Sequence, residues 1–246
     1  VFEEGSKLQL ISKCLFCGSE NLKTVKIPEN SIIKSIGTDS FIATQVEDLC
    51  IPSTVVKLNK GCLTCETLKN IFVSPSNKRY KNCECNRKLI LKKNANKKDC
   101  FDSIIFACRD IKNPIIPKYI KKIKMLSFIN CRKLETIQFE KDSELQSIEV
   151  ENFCFSYLKG IIVPKKVCSI WNTTFDYVIN FKCAEFLTEN MEFYQLFNSN
   201  CPDIQLISFP NVQKLKIFPN LWSYPKRETH FFVCSGADLK LMEDPK

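Results

Sequence analysis

Apolar anchors recur along this chain in the phrase L-x-x-I-x-[IFV], usually closed by proline. The clearest copy starts at Ile116-Pro117 and passes through Ile120, Ile123, Phe128, Cys131, Leu134 and Ile137 to Phe139. A unit of about 24 residues is too long for a coiled-coil heptad and too short for a self-standing domain. It has the size of one coil of a solenoid.

Other copies fall into register on the same anchors. The first runs Leu8-x-x-Ile11, Phe16, then Leu22-x-x-Val25-x-Ile27-Pro28. The second is Ile33-x-x-Ile36-Gly37, Phe41, Val46-x-x-Leu49-x-Ile51-Pro52, so the two prolines lie 52 − 28 = 24 positions apart. A third carries Val55, Leu58, Cys62, Cys65, Leu68, Ile71 and Val73. After Phe139 come Leu145, Ile148, Phe153, Leu158, Ile161 and Val163-Pro164, and 163 − 139 is again 24. A late copy, Cys201-x-x-Ile204-x-x-Ile207-x-Phe209-Pro210, matches Cys131 to Phe139 position for position.

Within a copy, Ile137 and Phe139 alternate with Thr136 and Gln138, which predicts a short strand with the first pair inward and the second outward. The proline that follows has no N–H to donate and ends the ladder. From Ile123 to Cys131 the apolar spacing is closer to a helical turn. The expected architecture is therefore an α/β solenoid with one parallel sheet of short strands and short helical or irregular returns. A single copy cannot bury enough surface to offset its ordering entropy, so stacking is obligatory.

The pattern is expected to run through 1–246 as a single solenoid, with an irregular Lys/Cys-rich repeat at about 74–114 and divergent repeats after about 171. The irregular stretch holds Leu89-Ile90-Leu91, a polar Lys92–Lys98 segment and Ile104-Ile105-Phe106, read as a strand, a basic loop and another strand. The apolar end (Leu215, Ile217, Leu221, Trp222 and Phe231-Phe232-Val233) continues or caps the stack.

These residues resemble the BspA-like class of leucine-rich repeats, written approximately I-P-x-x-V-x-x-I-x-x-x-A-F-x-x-C-x-x-L-x-x-I-x-[IF]. Ile116-Pro117 through Phe139 follows it almost throughout, with Leu126-Ser127-Phe128 where A-F is usual; Ser76–Pro114 and Trp171–Asn200 depart from it. The resemblance implies a right-handed leucine-rich-repeat solenoid without catalytic machinery that binds proteins or cell surfaces. Members are commonly surface or secreted adhesins of bacteria and anaerobic protozoan parasites.

Composition agrees with a packed, non-catalytic chain. Apolar residues make up 44% of it, with 19 Phe but only 6 Gly, which excludes disorder and argues against a turn-rich sandwich. No apolar run reaches the ~20 residues of a membrane span. Val1-Phe2-Glu3-Glu4-Gly5 contains neither an initiator Met nor a basic-then-apolar leader pattern. The net charge of +9 comes from scattered Lys, with no aromatics placed to make a nucleic-acid groove, so no nucleic-acid partner is expected.

Motifs that carry chemistry are scarce. Cys14-x-x-Cys17 and Cys62-x-x-Cys65 have metal-ligand spacing, but the repeat explains Cys62 as the Phe128 equivalent and Cys65 as the Cys131 equivalent. Core packing is the expected role, with no metal and no cofactor. Fifteen cysteines cannot all pair within one chain, and a disulfide among Cys83, Cys85, Cys100 and Cys108 requires export. His230 is the only histidine, and phosphate-loop, zinc-protease and nucleophile-elbow motifs are missing. Asn172-Thr173-Thr174 is a glycosylation acceptor only in the secretory path.

The outward strand positions form the candidate partner-binding face: Lys23, Thr24, Lys26, Glu47, Asp48, Lys69, Asn70, Phe72, Glu135, Thr136, Gln138, Gln205, Ser208, Lys214 and Lys216. A protein or cell-surface macromolecule is the expected partner, with adhesion at the cell surface or in secreted form as the role. The competing expectation is a cytoplasmic or cytoskeleton-associated scaffold that docks onto a larger assembly. The inward cysteines and the lack of a leader pattern favour this second reading.

Overall fold

The computed structural model describes residues 2–171, 173–193, 201, 203–217, 230–233 and 238–241. Two compact units divide the chain, Val1–Ile111 and Lys112–Lys246.

Unit 1 contains β1 (Leu10–Ile11), β2 (Ser35–Ile36), β3 (Asp48–Ile51), β4 (Lys57–Leu58), β5 (Asn70–Val73), β6 (Tyr80–Asn82), β7 (Leu89–Lys93) and β8 (Phe101–Ala107). One parallel ladder runs β1-β2-β4 and a second pairs β3 with β5. The next three strands form an antiparallel meander, β6 against β7 and β7 against β8, with the basic Lys92–Lys98 segment carrying the chain into β8.

Unit 2 contains β9 (Ile115–Ile116), β10 (Lys122–Ile123), β11 (Gln138–Phe139), β12 (Ser147–Ile148), β13 (Gly160–Val163), β14 (Ser169–Ile170), β15 (Cys183–Phe186), β16 (Asn190–Phe193), β17 (Leu206–Phe209), β18 (Lys214–Ile217), β19 (His230–Val233) and β20 (Asp238–Leu241). Here too there are two sets of parallel strands. One comprises β9-β11 and β13-β15-β17-β19, the other β10-β12-β14-β16-β18-β20. Successive coils of unit 2 thus contribute strands to two ladders where the repeat phrase predicted one sheet. The second ladder includes the two-residue segments ending at Ile123, Ile148 and Ile170, which are too short to show alternation in sequence, as well as the four-residue β16, β18 and β20.

Among the described residues there is no α-helix, so the expected helical returns are corrected to turns. Left-handed residues recur four apart in five returns and break any i→i−4 ladder: Cys14 and Gly18, Asp39 and Ala43, Leu126 and Asn130, Glu151 and Phe155, Thr173 and Tyr177. The reversals aim return N–H groups at the next coil. Leu126 N donates to Val150 O at 3.3 Å and Asn130 N to Cys154 O at 2.9 Å. The remaining donors close tight turns, as in Cys131 N to Phe128 O at 3.3 Å.

A small polar residue before Phe41, Phe128, Phe153 and Phe175 satisfies a turn carbonyl three residues back, whereas Leu15 precedes Phe16. Ser40 Oγ donates to Gly37 O at 2.7 Å, and Asn152 Nδ2 to Glu149 O at 2.7 Å. Ser127 Oγ and Thr174 Oγ1 do the same to Lys124 O at 2.6 Å and Trp171 O at 2.5 Å. Cys62 occupies this slot, bonded to the backbone of Asn59, so it is the counterpart of Ser127 and not of Phe128. The following residue, Leu63, is buried in the aromatic position. The third copy was therefore read one residue out of register, although Cys62 and Cys65 are inward as expected.

The phenylalanines themselves stack from coil to coil. Phe16 lies on Phe41 at 5.4 Å, Phe128 on Phe153 at 5.5 Å and Phe153 on Phe175 at 5.4 Å between ring centroids. Each pair contributes ~0.5–1.5 kcal/mol beyond its buried area. Ile137 is buried while Phe139, expected inward, is half-buried because its strand ends there. Pro52, Pro164 and Pro210 directly follow β3, β13 and β17 and stop those ladders, as expected of a residue without an N–H.

Candidate functional site

In unit 2 a chain of backbone hydrogen bonds fixes which residues share a column. Glu135 N bonds to Lys112 O, Lys159 N to Glu135 O, Lys182 N to Lys159 O and Gln205 N to Lys182 O. Two residues further on, Ile161, Ala184 and Ile207 are in strand register, and Ile137 holds the equivalent place after Glu135. Ile137 and Ile207 therefore belong to one inward column.

The charged column at the strand entry is largely self-neutralising. The Glu135 carboxylate lies 3.2 Å from Lys112 Nζ and 2.8 Å from Lys159 Nζ. The Lys159 and then the Lys112 hydrogen bonds hold its carboxyl below the usual carboxylate range. In unit 1 Glu47 pairs with Lys69 at 2.7 Å, and that bond raises the Lys69 ammonium above its ordinary value. Asn70 Nδ2 donates to Asp48 Oδ1 at 2.7 Å from directly opposite in register. These charges order the face more than they advertise it.

The next outward positions carry exposed apolar side chains, which in unit 2 share their register with polar ones. Phe72 is 62% exposed and faces Cys50 across the β3–β5 pair. Ile115 is 53% exposed opposite Gln138, and Ile162 is 57% exposed in register with Glu185 and Ser208. Strand alternation predicted Phe72 here, whereas Cys50, Ile115 and Ile162 were missed because their copies were read only for inward anchors.

Among the remaining candidate positions, Lys23, Thr24 and Lys26 are exposed on a segment without strand structure. Thr136 is exposed and bonds to Asn113 at 3.0 Å. Gln205 is exposed and Ser208 half-buried on the ladder of Ile162. Lys214 and Lys216 do not join them. They lie on β18, in the other ladder, and the Lys216 side chain is outside the described residues. They were read as outward positions of the same face, but after Pro210 the chain passes to the second set of strands.

Each unit has a groove against one of these exposed apolar side chains, Phe72 in unit 1 and Ile162 in unit 2. In unit 1 a space of about 870 Å³ has Phe72 and Cys50 on its floor, with Lys81, Glu84 and Arg87 of the meander as a wall. The meander also closes the open edge of β5: Asn82 accepts from Val73 N at 3.0 Å and donates to Ile71 O at 2.7 Å. An amide side chain thereby imitates a strand partner and blocks edge-to-edge pairing. In unit 2 a space of about 970 Å³ has Ile162, Pro164, Leu187 and Pro210 as floor and Glu140, Lys165 and Glu189 at its rim. An apolar floor inside a mixed-charge rim suits a protein surface.

Thiols divide sharply by depth. Burial pushes Cys62, Cys154 and Cys201 up to about 12 and Cys108 up to about 11, so these are protonated and inert at neutral pH. Cys14 and Cys17, expected in the core, are exposed. Among the described residues, no disulfide joins Cys83, Cys85, Cys100 or Cys108. No group of three metal-binding side chains occurs among the described residues, and no described helix is long and apolar enough to cross a membrane. The His230 side chain, Asn172, Leu221 and Trp222 lie outside the described residues.

A model of the BspA type leucine rich repeat region, in 6 copies, matches residues 2–98 and 99–221. The chain belongs to this family. Among solved structures it is similar to the pneumococcal vaccine antigen PcpA, with a TM-score of 0.76 and 16% identity over 98% of this chain and 73% of that one. It is also similar to a leucine-rich repeat protein from Eubacterium ventriosum, with a TM-score of 0.69 and 18% identity over 94% of this chain and 57% of that one. A leucine-rich cell surface protein from Faecalibacterium prausnitzii aligns at a TM-score of 0.62 and 16% identity, covering 96% of this chain and 59% of the other. At such identities the likeness is one of fold, and this BspA-type chain spans less than two thirds of the last two proteins. No curated protein matches it.

Proposed function

We propose that this BspA-type chain is a non-catalytic protein-binding module, acting in adhesion or surface interaction through the outward strand faces of its units. The observation that carries the reading is the exposure of apolar strand residues in each unit, Phe72 in unit 1 and Ile115 and Ile162 in unit 2. A merely solvated sheet has no use for such residues, whereas a contact surface draws its energy from them. The grooves beside Phe72 and Ile162 and the charged side chains near them supply the polar rim of an interface. Placement at the cell surface or in secreted form is supported by the family and by the cell-surface protein of like fold.

The test is quantitative capture from surface extracts of the native source with wild-type protein, Phe72→Ala and Ile162→Ala. Both substitutions remove exposed side chains, so melting stays as in wild type. Capture of the same partner falls about tenfold or more, the ~1–2 kcal/mol or more of an interface hot spot. Equal capture by all three proteins would sink the reading.

The second reading, an intracellular scaffold docking onto a larger assembly, is favoured by the cysteines at core positions. Cys65 sits among Thr44, Val46 and Thr67 as a small, hydrogen-bonded hydrophobe, which requires it to stay reduced. Thiol titration of protein from its native source separates the two: cross-linked cysteines support export, and a fully reduced set supports the scaffold.

A further inference from the structure

Cys14-Leu15-Phe16-Cys17 forms a hydrogen-bonded four-residue turn, closed by Cys17 N to Cys14 O at 3.1 Å. Such a turn brings its end Cα atoms within about 7 Å, inside the ~4.4–6.8 Å span of most disulfides or at its limit. Both thiols are exposed. Cys14 holds the left-handed conformation at φ 55°, in the slot that Asp39 and Gly61 fill in the following coils. A β-carbon in that slot carries strain, and Asn or Gly would reduce it. The spacing is shared by Cys62 and Cys65, yet both of those are buried, with Cys62 bonded to the backbone of its own turn and Cys65 to Thr44 O and Val46 O of the preceding coil. The two C-x-x-C motifs are thus different objects: one is core, the other a solvent-facing pair of thiols.

We propose that Cys14 and Cys17 are a dithiol modification site that takes a diffusible low-molecular-weight disulfide as substrate and ends as an intramolecular Cys14–Cys17 bond. The Cys14 thiolate attacks one sulfur of the small disulfide, forming a mixed disulfide and expelling the first small thiolate. The Cys17 thiolate then attacks the Cys14 sulfur, forms the internal bond and expels the second. The two protein thiols are oxidised by two electrons, the small disulfide is reduced to two thiols, and the two cysteine protons end on those thiols. Desolvation, then the neighbouring Cys14 and Asp39, raise the Cys17 thiol, which suits it to the second step, where proximity compensates for a small thiolate fraction.

The bond would stiffen a turn that anchors one coil to the next. Cys14 N, Phe16 N and Gly18 N donate to Thr38 O, Ser40 O and Ile42 O at 2.9, 3.0 and 3.0 Å. Phe16, between the two cysteines, stacks on Phe41. Oxidation would therefore clamp the contact between these coils without entering the core.

The test equilibrates the reduced full chain with mixtures of reduced and oxidised glutathione, alkylates the remaining thiols and maps peptides by mass. The expected result is joint loss of the two labels at Cys14 and Cys17, with a cross-linked peptide in their place, while Cys62 and Cys65 react only after denaturation. Cys17→Ser should accumulate a mixed disulfide on Cys14 that wild type resolves, and slower amide exchange at Phe16 and Gly18 in the oxidised wild type should report the clamp. Lasting glutathione adducts on wild-type Cys14 or Cys17 without an internal bond would overturn the proposal, as would a Cys17→Ser protein that takes up no glutathione. Cys17→Ser sits on an exposed position, and an unchanged far-UV spectrum verifies the fold.

Discussion

Phe128 is fully buried and packs on Phe153 with its ring tilted by 33°, so it is part of the row of aromatics that joins neighbouring coils. Phe128→Asp places a carboxylate there with no cation to meet it, at a cost of several kcal/mol, of order 3–5. The variant should fail to show a cooperative urea transition, while Phe128→Leu should keep one; wild-type-like melting of the aspartate variant would contradict the inward register. Glu135 makes the opposite kind of contribution, from the surface. Its folded pKa is depressed by Lys159 and Lys112, so its stabilisation is present above the ordinary Glu pKa and is lost as pH falls through the lower folded value. An NMR titration should place the Glu135 midpoint below that of an unpaired Glu, and Lys159→Met should move it upward. A midpoint unaffected by that substitution would show that the column of charges is not coupled.

At the scale of the element, the decisive feature is how closely coils approach. A β-carbon added at Gly37 would lie 2.5 Å from the Lys13 backbone nitrogen and 2.5 Å from the Ser12 carbonyl carbon. Those are backbone atoms and cannot swing aside, so Gly37→Ala should lower stability by ~1–3 kcal/mol, read as a lower urea midpoint at unchanged slope. An unchanged midpoint would mean that these coils have slack. The strand phrase was legible because period-two alternation and a closing proline are local properties. The return was not: its apolar spacing at Leu126, Phe128 and Cys131 imitates a helix, but Leu126 and Asn130 turn left-handed so that their N–H groups can reach the next coil. That choice is made by the neighbour and leaves no signature in the return itself. Ser127, Asn152 and Thr174, each one residue before a phenylalanine, are a visible pattern whose meaning needed the carbonyl three residues back.

At the scale of the whole molecule, the cysteines give a test of depth across both units. Brief alkylation of the native protein at neutral pH should label Cys14, Cys17, Cys50, Cys85, Cys168 and Cys183, which are exposed, and spare Cys62, Cys108, Cys154 and Cys201, whose thiols burial holds protonated. Labelling of the second group in the native state would show that the coils open. The candidate site was half legible at this scale. Phe72, Glu47, Lys69 and Glu135 emerged from strand alternation. Lys214 and Lys216 were misplaced because a repeat with two strands per coil has two outward faces, and sequence spacing does not say which face a given strand joins.

The amino-acid sequence alone determined the coil length, the inward anchors and the strand stops, since each depends on a residue's own shape and polarity and on neighbours close along the chain. Only the tertiary structure decided that the returns are turns instead of helices, that the strands divide between two ladders, and that Cys14 and Cys17 face solvent while Cys62 and Cys65 do not. Those outcomes depend on hydrogen bonds and packing between coils some two dozen residues apart, where the partner that settles a residue's conformation is distant in the chain.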